Sequence, residues 1–138
     1  MRSVAMSVAV ADMENPWLNY KISSLRYRLF MKMSDFASSG SKIFVFLDAH
    51  PDSTKNSAFG VWMSDPSQPD TAYIFDVPAS YHNGACGYSF MDGHCETHRW
   101  RDARTIVPTC YDGLIPLGVT NPRSVDALWI TEHASILN

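Results

Sequence analysis

The chain has 138 residues, 46% of them hydrophobic, and carries 11 Lys and Arg against 14 Asp and Glu for a net charge of −3. That length buries a real core and predicts one globular domain over residues 1–138 rather than a disordered chain. The basic residues are scattered, which excludes a nucleic-acid surface. No run approaches the ~18 apolar residues of a membrane span.

The first 41 residues carry little pattern. "MRSVAMSVAVADMEN" has an apolar run too short for a secretory signal and enters the fold abruptly, so a chain truncated at its N-terminus is the expectation. "ENPW" predicts a turn, and Ser34 is the expected cap of a short helical turn before the loop "ASSGSK". "KIFVFLDAH", residues 42–50, is the clearest strand, and its near-continuous apolar run predicts burial on both faces in a central position. After the loop "PDSTKNS", two further strands are expected at "AFGVWM" (58–63) and "TAYIFDV" (71–77), the second stopped by Pro78.

"GYSFMDGHCETHRW" predicts a hairpin whose two-residue type I′ turn is Asp92-Gly93. That turn would set Met91 against His94, Phe90 against Cys95, Ser89 against Glu96 and Tyr88 against Thr97. Tyr88, Phe90, Cys95 and Thr97 would then face the core, and Ser89, Met91, His94, Glu96, His98 and Trp100 the other side. Residues 101–120 are expected as loop. "TNPRSVDALWITEH" predicts a short helix capped by Asn121 or Ser124, with Pro122 in its first turn and an apolar stripe of Val125, Leu128 and Trp129. Short strands followed by one late helix predict an α+β domain built on an antiparallel sheet.

Candidate chemistry gathers in two places. Asp48 and His50 lie two apart on a strand with Asp52 following, while His82, Asp92 and His94 lie on and before the hairpin, joined by Glu96 and His98. If the two segments are neighbours, Asp48, His50, Asp52, His82, Asp92 and His94 form a candidate set for a divalent ion, zinc or manganese suiting the mixed ligands and calcium preferring oxygens alone. The alternative is a hydrogen-bonded network in which His82, Asp48 and the Asp92-Gly93 turn pin one strand to another. "DAHPD" is similar to the metal-binding segment of arginase-type ureohydrolases, but their Gly-Gly-Asp-His and Asp-x-Asp segments do not occur here, and the chain is too short for that fold. Glu96 with His94 or His98 allows an acid–base pair to be drawn, yet neighbours on a strand face follow from alternation alone. No nucleophile elbow and no Gly-rich phosphate loop occur. Cys86, Cys95 and Cys110 make an odd count with no Cys-x-x-Cys pair, which argues against a zinc knot and leaves one disulfide with a spare thiol or three reduced thiols.

Taken whole, His82, nine intervening residues and then Asp92-Gly93 resemble the signature of the bacterial prepilin-type, processing-associated H-X9-DG family, whose members are similar to type IV pilins and type II secretion pseudopilins. The likeness extends through "FVFLDAHPDS", "PASYHNGACGYSFMDGHCETHRWRDART" and "NPRSVDALWITEH", about residues 42–133, with "RSVAMS" upstream. The leader, processing site and long apolar helix of full-length members do not occur in this sequence, and Cys86 and Cys95 stand where small residues are expected.

The resemblance implies a non-catalytic, pilin-like globular head, an antiparallel sheet that rests on the N-terminal helix. It implies an extracytoplasmic place, periplasmic or at the cell surface, with other pilin-like subunits or secretion machinery as partners. Some pseudopilins hold calcium in their C-terminal loops, which would point to Asp48, Asp52 and Asp92. Two other classes remain open from the residues: a metal-dependent hydrolase using Asp48, His50, His82 and His94, and a surface-ligand module using Trp62, Tyr81 or Trp100.

Overall fold

The computed structural model describes residues 3–10, 27–53, 58–113, 115 and 119–137. The turn expected at "ENPW", the segment 18–26 and part of the loop, 54–57, lie outside the described residues. Among the described residues seven strands and one α-helix follow in chain order: β1 Ser3–Ser7, β2 Phe44–Ala49, β3 Ala58–Phe59, β4 Tyr73–Ile74, β5 Ala85–Phe90, β6 Cys95–Arg99, β7 Val119–Thr120 and α1 Val125–Ala134. Five of them form one sheet in the order β3-β1-β2-β5-β6, and β4 pairs with β7 in a separate two-stranded sheet. The class is α+β as expected, but the large sheet is mixed: β3 runs parallel to β1, and the other pairs are antiparallel.

β2 holds the central place that its apolar run predicts. Its two faces differ, however. Phe44 and Leu47 are buried while Phe46 is 45% exposed, because a register shift between Phe44 and Phe46 breaks the alternation. The expected burial on both faces is therefore corrected to one covered face, where Ala5, Phe44, Leu47, Phe59, Tyr88 and Phe90 join Ala127, Ile130 and Ala134 of α1 in a single core. Val4, 58% exposed, and Phe46 mark the open face.

The strand expected over 58–63 keeps only Ala58–Phe59 in a ladder. At Gly60 the chain turns to another partner: its N–H donates to Asp76 Oδ2 at 2.6 Å, and a Cβ there would lie 2.6 Å from the Phe75 ring. The strand expected over 71–77 shrinks likewise to Tyr73–Ile74, since Pro69–Thr71 form a 3-10 turn. β1 and β7 are strands that the sequence pattern does not announce. The helical turn expected before "ASSGSK" forms at Met33–Phe36, but Asp35 rather than Ser34 caps it, accepting from the N–H groups of Met31 and Lys32 at 2.9 and 3.1 Å.

The hairpin forms with a different turn. Gly93 N–H donates to Phe90 C=O at 3.0 Å, and Phe90 N–H donates to His94 C=O at 2.9 Å. This is a three-residue loop ending in a G1 bulge, with Gly93 at φ 93° and no left-handed Asp92. Every cross-strand pair moves by one residue, so that Ser89 faces Cys95, Tyr88 faces Glu96 and Gly87 faces Thr97. Tyr88 and Phe90 remain on the core face. Cys95 and Thr97, expected beside them, are exposed, and Trp100, expected on the opposite face, is buried.

α1 starts at the Ser124 cap, whose side chain accepts from Ala127 N–H at 3.3 Å, and Pro122 lies before it. Its buried stripe is Asp126, Ala127, Ile130, Thr131 and Ala134, whereas Val125 is exposed and Leu128 and Trp129 are half-buried. Among the described residues no helix is long and apolar enough to cross a membrane.

Candidate functional site

The six candidate ligands divide among three places. The first is the start of β5. The chain at Pro78 bridges to Ala49 at the end of β2, and Ala79 N–H donates to Asp48 C=O at 2.9 Å. It then turns through Asn83 and Gly84, both at positive φ, into β5. That turn carries His82 back over β2, where Nε2 donates to Asp48 Oδ2 at 3.2 Å. The Asp48 carbonyl also accepts from the Cys86 thiol at 3.1 Å. The Asp48 carboxylate lies over Gly87, where a Cβ would come within 3.0 Å of Oδ2. Trp100 closes the same corner, its indole N–H donating to Ala79 C=O at 2.8 Å.

The second place is buried. His50 is wholly inaccessible, its Nδ1 accepts from Asp52 N–H at 3.2 Å, and Nε2 therefore carries the proton that it donates to Val107 C=O at 3.0 Å. Asp52 accepts from Cys110 N–H at 2.7 Å and from Gly113 N–H at 3.4 Å. Tyr111 and Gly113 take positive φ, which wraps the loop amides around the carboxylate as a nest. Burial pushes the Asp52 pKa up, but the loop amides of Cys110, Gly113 and Asp112 together with the neighbouring His50 outweigh it, leaving the carboxyl below its usual range. Both His50 nitrogens and both Asp52 oxygens are thus engaged within the chain.

The third place is the hairpin tip, where Asp92 accepts from His94 N–H at 3.1 Å and from the His94 ring. The His94 hydrogen bonds hold the Asp92 pKa below its usual range. The tip stands at the far end of β5 from His82, about 16 Å away at the rise of a strand. Convergence of Asp48, His50, Asp52, His82, Asp92 and His94 is therefore corrected: two pairs and one internal lock replace one set. Among the described residues no three His, Cys, Asp or Glu side chains group so as to hold a metal ion.

Nucleophilic chemistry has no geometric start at His82. Among the described residues no hydroxyl or thiol bonds its ring. Cys86, the thiol beside Asp48, is buried, which raises its pKa to about 12. All three cysteines are free, which resolves the disulfide alternative in favour of thiols. Of the aromatic residues weighed for ligand binding, Trp100 is buried, Trp62 is half-buried against Tyr73, and Tyr81 is exposed beside His82.

A feature that sequence reasoning missed lies between β6 and α1. The His98 and His133 rings stack on Trp129 with centroids at 3.7 and 4.0 Å and planes inclined by 17° and 19°. Two rings so close and so nearly parallel would overlap on one face of the indole, so they occupy opposite faces. The i, i+4 spacing of Trp129 and His133 was the available signal. Glu96, His98 and the Phe90–His94 stack share this side of the hairpin. Asp126, buried in the first turn of α1, accepts from the N–H groups of Arg101 and Asp102 at 3.1 and 2.9 Å. Arg104 hydrogen bonds hold the Asp102 pKa down at about 2, and Arg104 Nη2 also donates to Pro122 C=O at 2.9 Å. The segment after β6 is thereby tied to the start of the helix.

No family model matches the chain, and no curated protein or solved structure is significantly similar to it.

Proposed function

We propose that the chain is the non-catalytic head of a pilin-like or pseudopilin-like subunit, acting by position within an extracytoplasmic filament or a type II secretion-like assembly. The observation that carries the reading is the placing of the signature residues. His82 and Asp92-Gly93 stand at opposite ends of β5, and each performs a folding task there: His82 ties the incoming turn to Asp48 of β2, and Asp92-Gly93 makes the reversal into β6. Residues spaced for architecture in this way do not gather around a reacting atom. The open sheet face bearing Val4 and Phe46 is a second support, since the family resemblance assigns a helix to that kind of surface.

The partners on this reading are other pilin-like subunits or the secretion machinery, and the place is the periplasm or cell surface. Reading the gene upstream of the Met1 codon tests it. The expected result is an in-frame leader followed by an apolar helix of about 20 residues. A stop codon directly upstream, with Met1 as the initiator, overturns the reading. Elemental analysis of the purified chain tests the metal-dependent alternative: stoichiometric zinc or calcium that disappears in His82→Ala or His94→Ala would favour it instead.

A further inference from the structure

β6 is the last strand of the large sheet, and Cys95, Glu96, Thr97 and Arg99 are all exposed. The bonds from Phe90 N–H to His94 C=O and from Trp100 N–H to Gly84 C=O fix which residues of the strand point inward. In an antiparallel ladder hydrogen-bonded pairs alternate with open ones, so Glu96 and His98 bond to β5. The N–H and C=O groups of Cys95, Thr97 and Arg99 therefore point away from the sheet. None of them has a hydrogen-bond partner among the described residues. The strand has no proline and no bulge, and among the described residues no segment pairs with its outer edge.

We infer that this edge pairs with β6 of a second copy of the chain, antiparallel, about a two-fold axis at Thr97. Backbone bonding and charge together choose the occupant and the register. Outward-pointing residues must meet outward-pointing residues, which restricts the registers to steps of two. Centring on Thr97 pairs the whole strand: Cys95 with the partner's Arg99, Glu96 with the partner's His98, and Thr97 with the partner's Thr97. A step toward the hairpin sets the two Glu96 carboxylates directly opposite each other. A step the other way pairs only residues 97–99 of each strand, and one further opposes the two Arg99 side chains. Like charges directly opposite destabilise a ladder. Centring on Cys95 also keeps like charges apart, but it sets Thr97 and Arg99 against residues of the hairpin loop. Only the register centred on Thr97 pairs the whole strand, sets each Glu96 opposite the partner's His98, and closes as a symmetric pair. The inference stands independently of the pilin-like reading, because it uses only the edge and its side chains.

The test is cross-linking of the full chain. A Thr97→Cys variant carrying Cys95→Ser and Cys110→Ser places its new thiols on a hydrogen-bonded pair with Cα atoms about 5.5 Å apart, within disulfide reach. Mild oxidation is expected to give a covalent dimer. The reference variant, Cys110→Ser with Cys95 and Thr97 retained, is expected to stay unlinked, since Cys95 meets Arg99. No dimer from Thr97→Cys, or equal cross-linking through Cys95, overturns the proposal. Light scattering of the unmodified chain is the second arm. A dimer is expected, weakened about tenfold or more by Thr97→Pro, which removes only an outward N–H and leaves the hairpin's own bonds intact. Circular dichroism checks that this variant is folded. A monomer at the highest soluble concentration of the unmodified chain also overturns the proposal.

Discussion

The two ends of β5 each depend on a glycine, for opposite reasons. Gly87 sits in an ordinary strand conformation, but the Asp48 carboxylate occupies the space that a side chain would need, 3.0 Å from an added Cβ. Gly93 has no atom within 4 Å of an added Cβ, yet its φ of 93° is one that side chains resist. The first end is tied to β2, to the Pro78–Ala79 segment and to Trp100, while the second is closed by bonds within the hairpin. The difference teaches that a spaced signature can join a tertiary lock to a local turn, with consequences of different reach.

Trp100→Ala should break the comparison most severely. It empties a buried indole site beside Tyr88 and Trp129 and strips a hydrogen bond from Ala79, and such truncations cost about 3–5 kcal/mol. Urea denaturation reads this as a large fall in midpoint with an unchanged slope. Gly87→Ala comes next, at about 1–3 kcal/mol, because the methyl overpacks against Asp48. Its cost should fall when Asp48 is also changed to Ala. Additive losses in the double variant would show that the carboxylate is not what the methyl meets.

Gly93→Ala should cost about 1–2 kcal/mol through backbone conformation alone. Gly93→Asn should recover part of that, since Asn tolerates the left-handed region. Amide exchange sharpens the contrast. Gly93→Ala should release protection at Phe90 and spare the His50 amide, whereas Gly87→Ala should release both. Equal loss of protection at both amides in the two variants would erase the distinction between lock and turn.

The legible parts of the fold were those encoded locally. The apolar run of β2, the Ser124 cap of α1 and the Asp92-Gly93 reversal all carry their signal within a few residues. The hairpin register did not, because Asp-Gly serves both a two-residue turn and a three-residue turn with a bulge. In the second only Gly93 needs positive φ, and Asp92 is spared that cost. One residue of slip then moved Cys95 and Thr97 out of the core and Trp100 into it. β1 was illegible because "SVAMS" is small and weakly patterned, and β7 because a ladder of two residues depends wholly on its distant partner β4, while the parallel partner of β3 had no local signal. Within the candidate site, the approach of His82 to Asp48 was one of the arrangements in view. The Trp129 sandwich needed the packing of α1 on β6, which no local pattern supplies.

The smallest effect belongs to that sandwich. His98 is half-buried, and burial pulls its pKa below the usual 6.5, outweighing the attraction of Asp126 and Glu96, while His133 and Arg101 add to the lowering. A histidine whose folded-state pKa is depressed takes up its proton more readily when unfolded. Its contribution is therefore complete above about 6.5 and is lost as pH falls toward the folded-state value. The urea midpoint should decline modestly between pH 7.5 and about 5.5, the interval spanning the unfolded histidine's titration. His98→Gln, which keeps a polar planar group but does not titrate, should flatten that decline relative to the parent chain. Gly93→Ala, acting at the tip through backbone conformation, should lower the midpoint equally at every pH and leave the slope unchanged. An unaltered slope in His98→Gln would assign the pH dependence to another group.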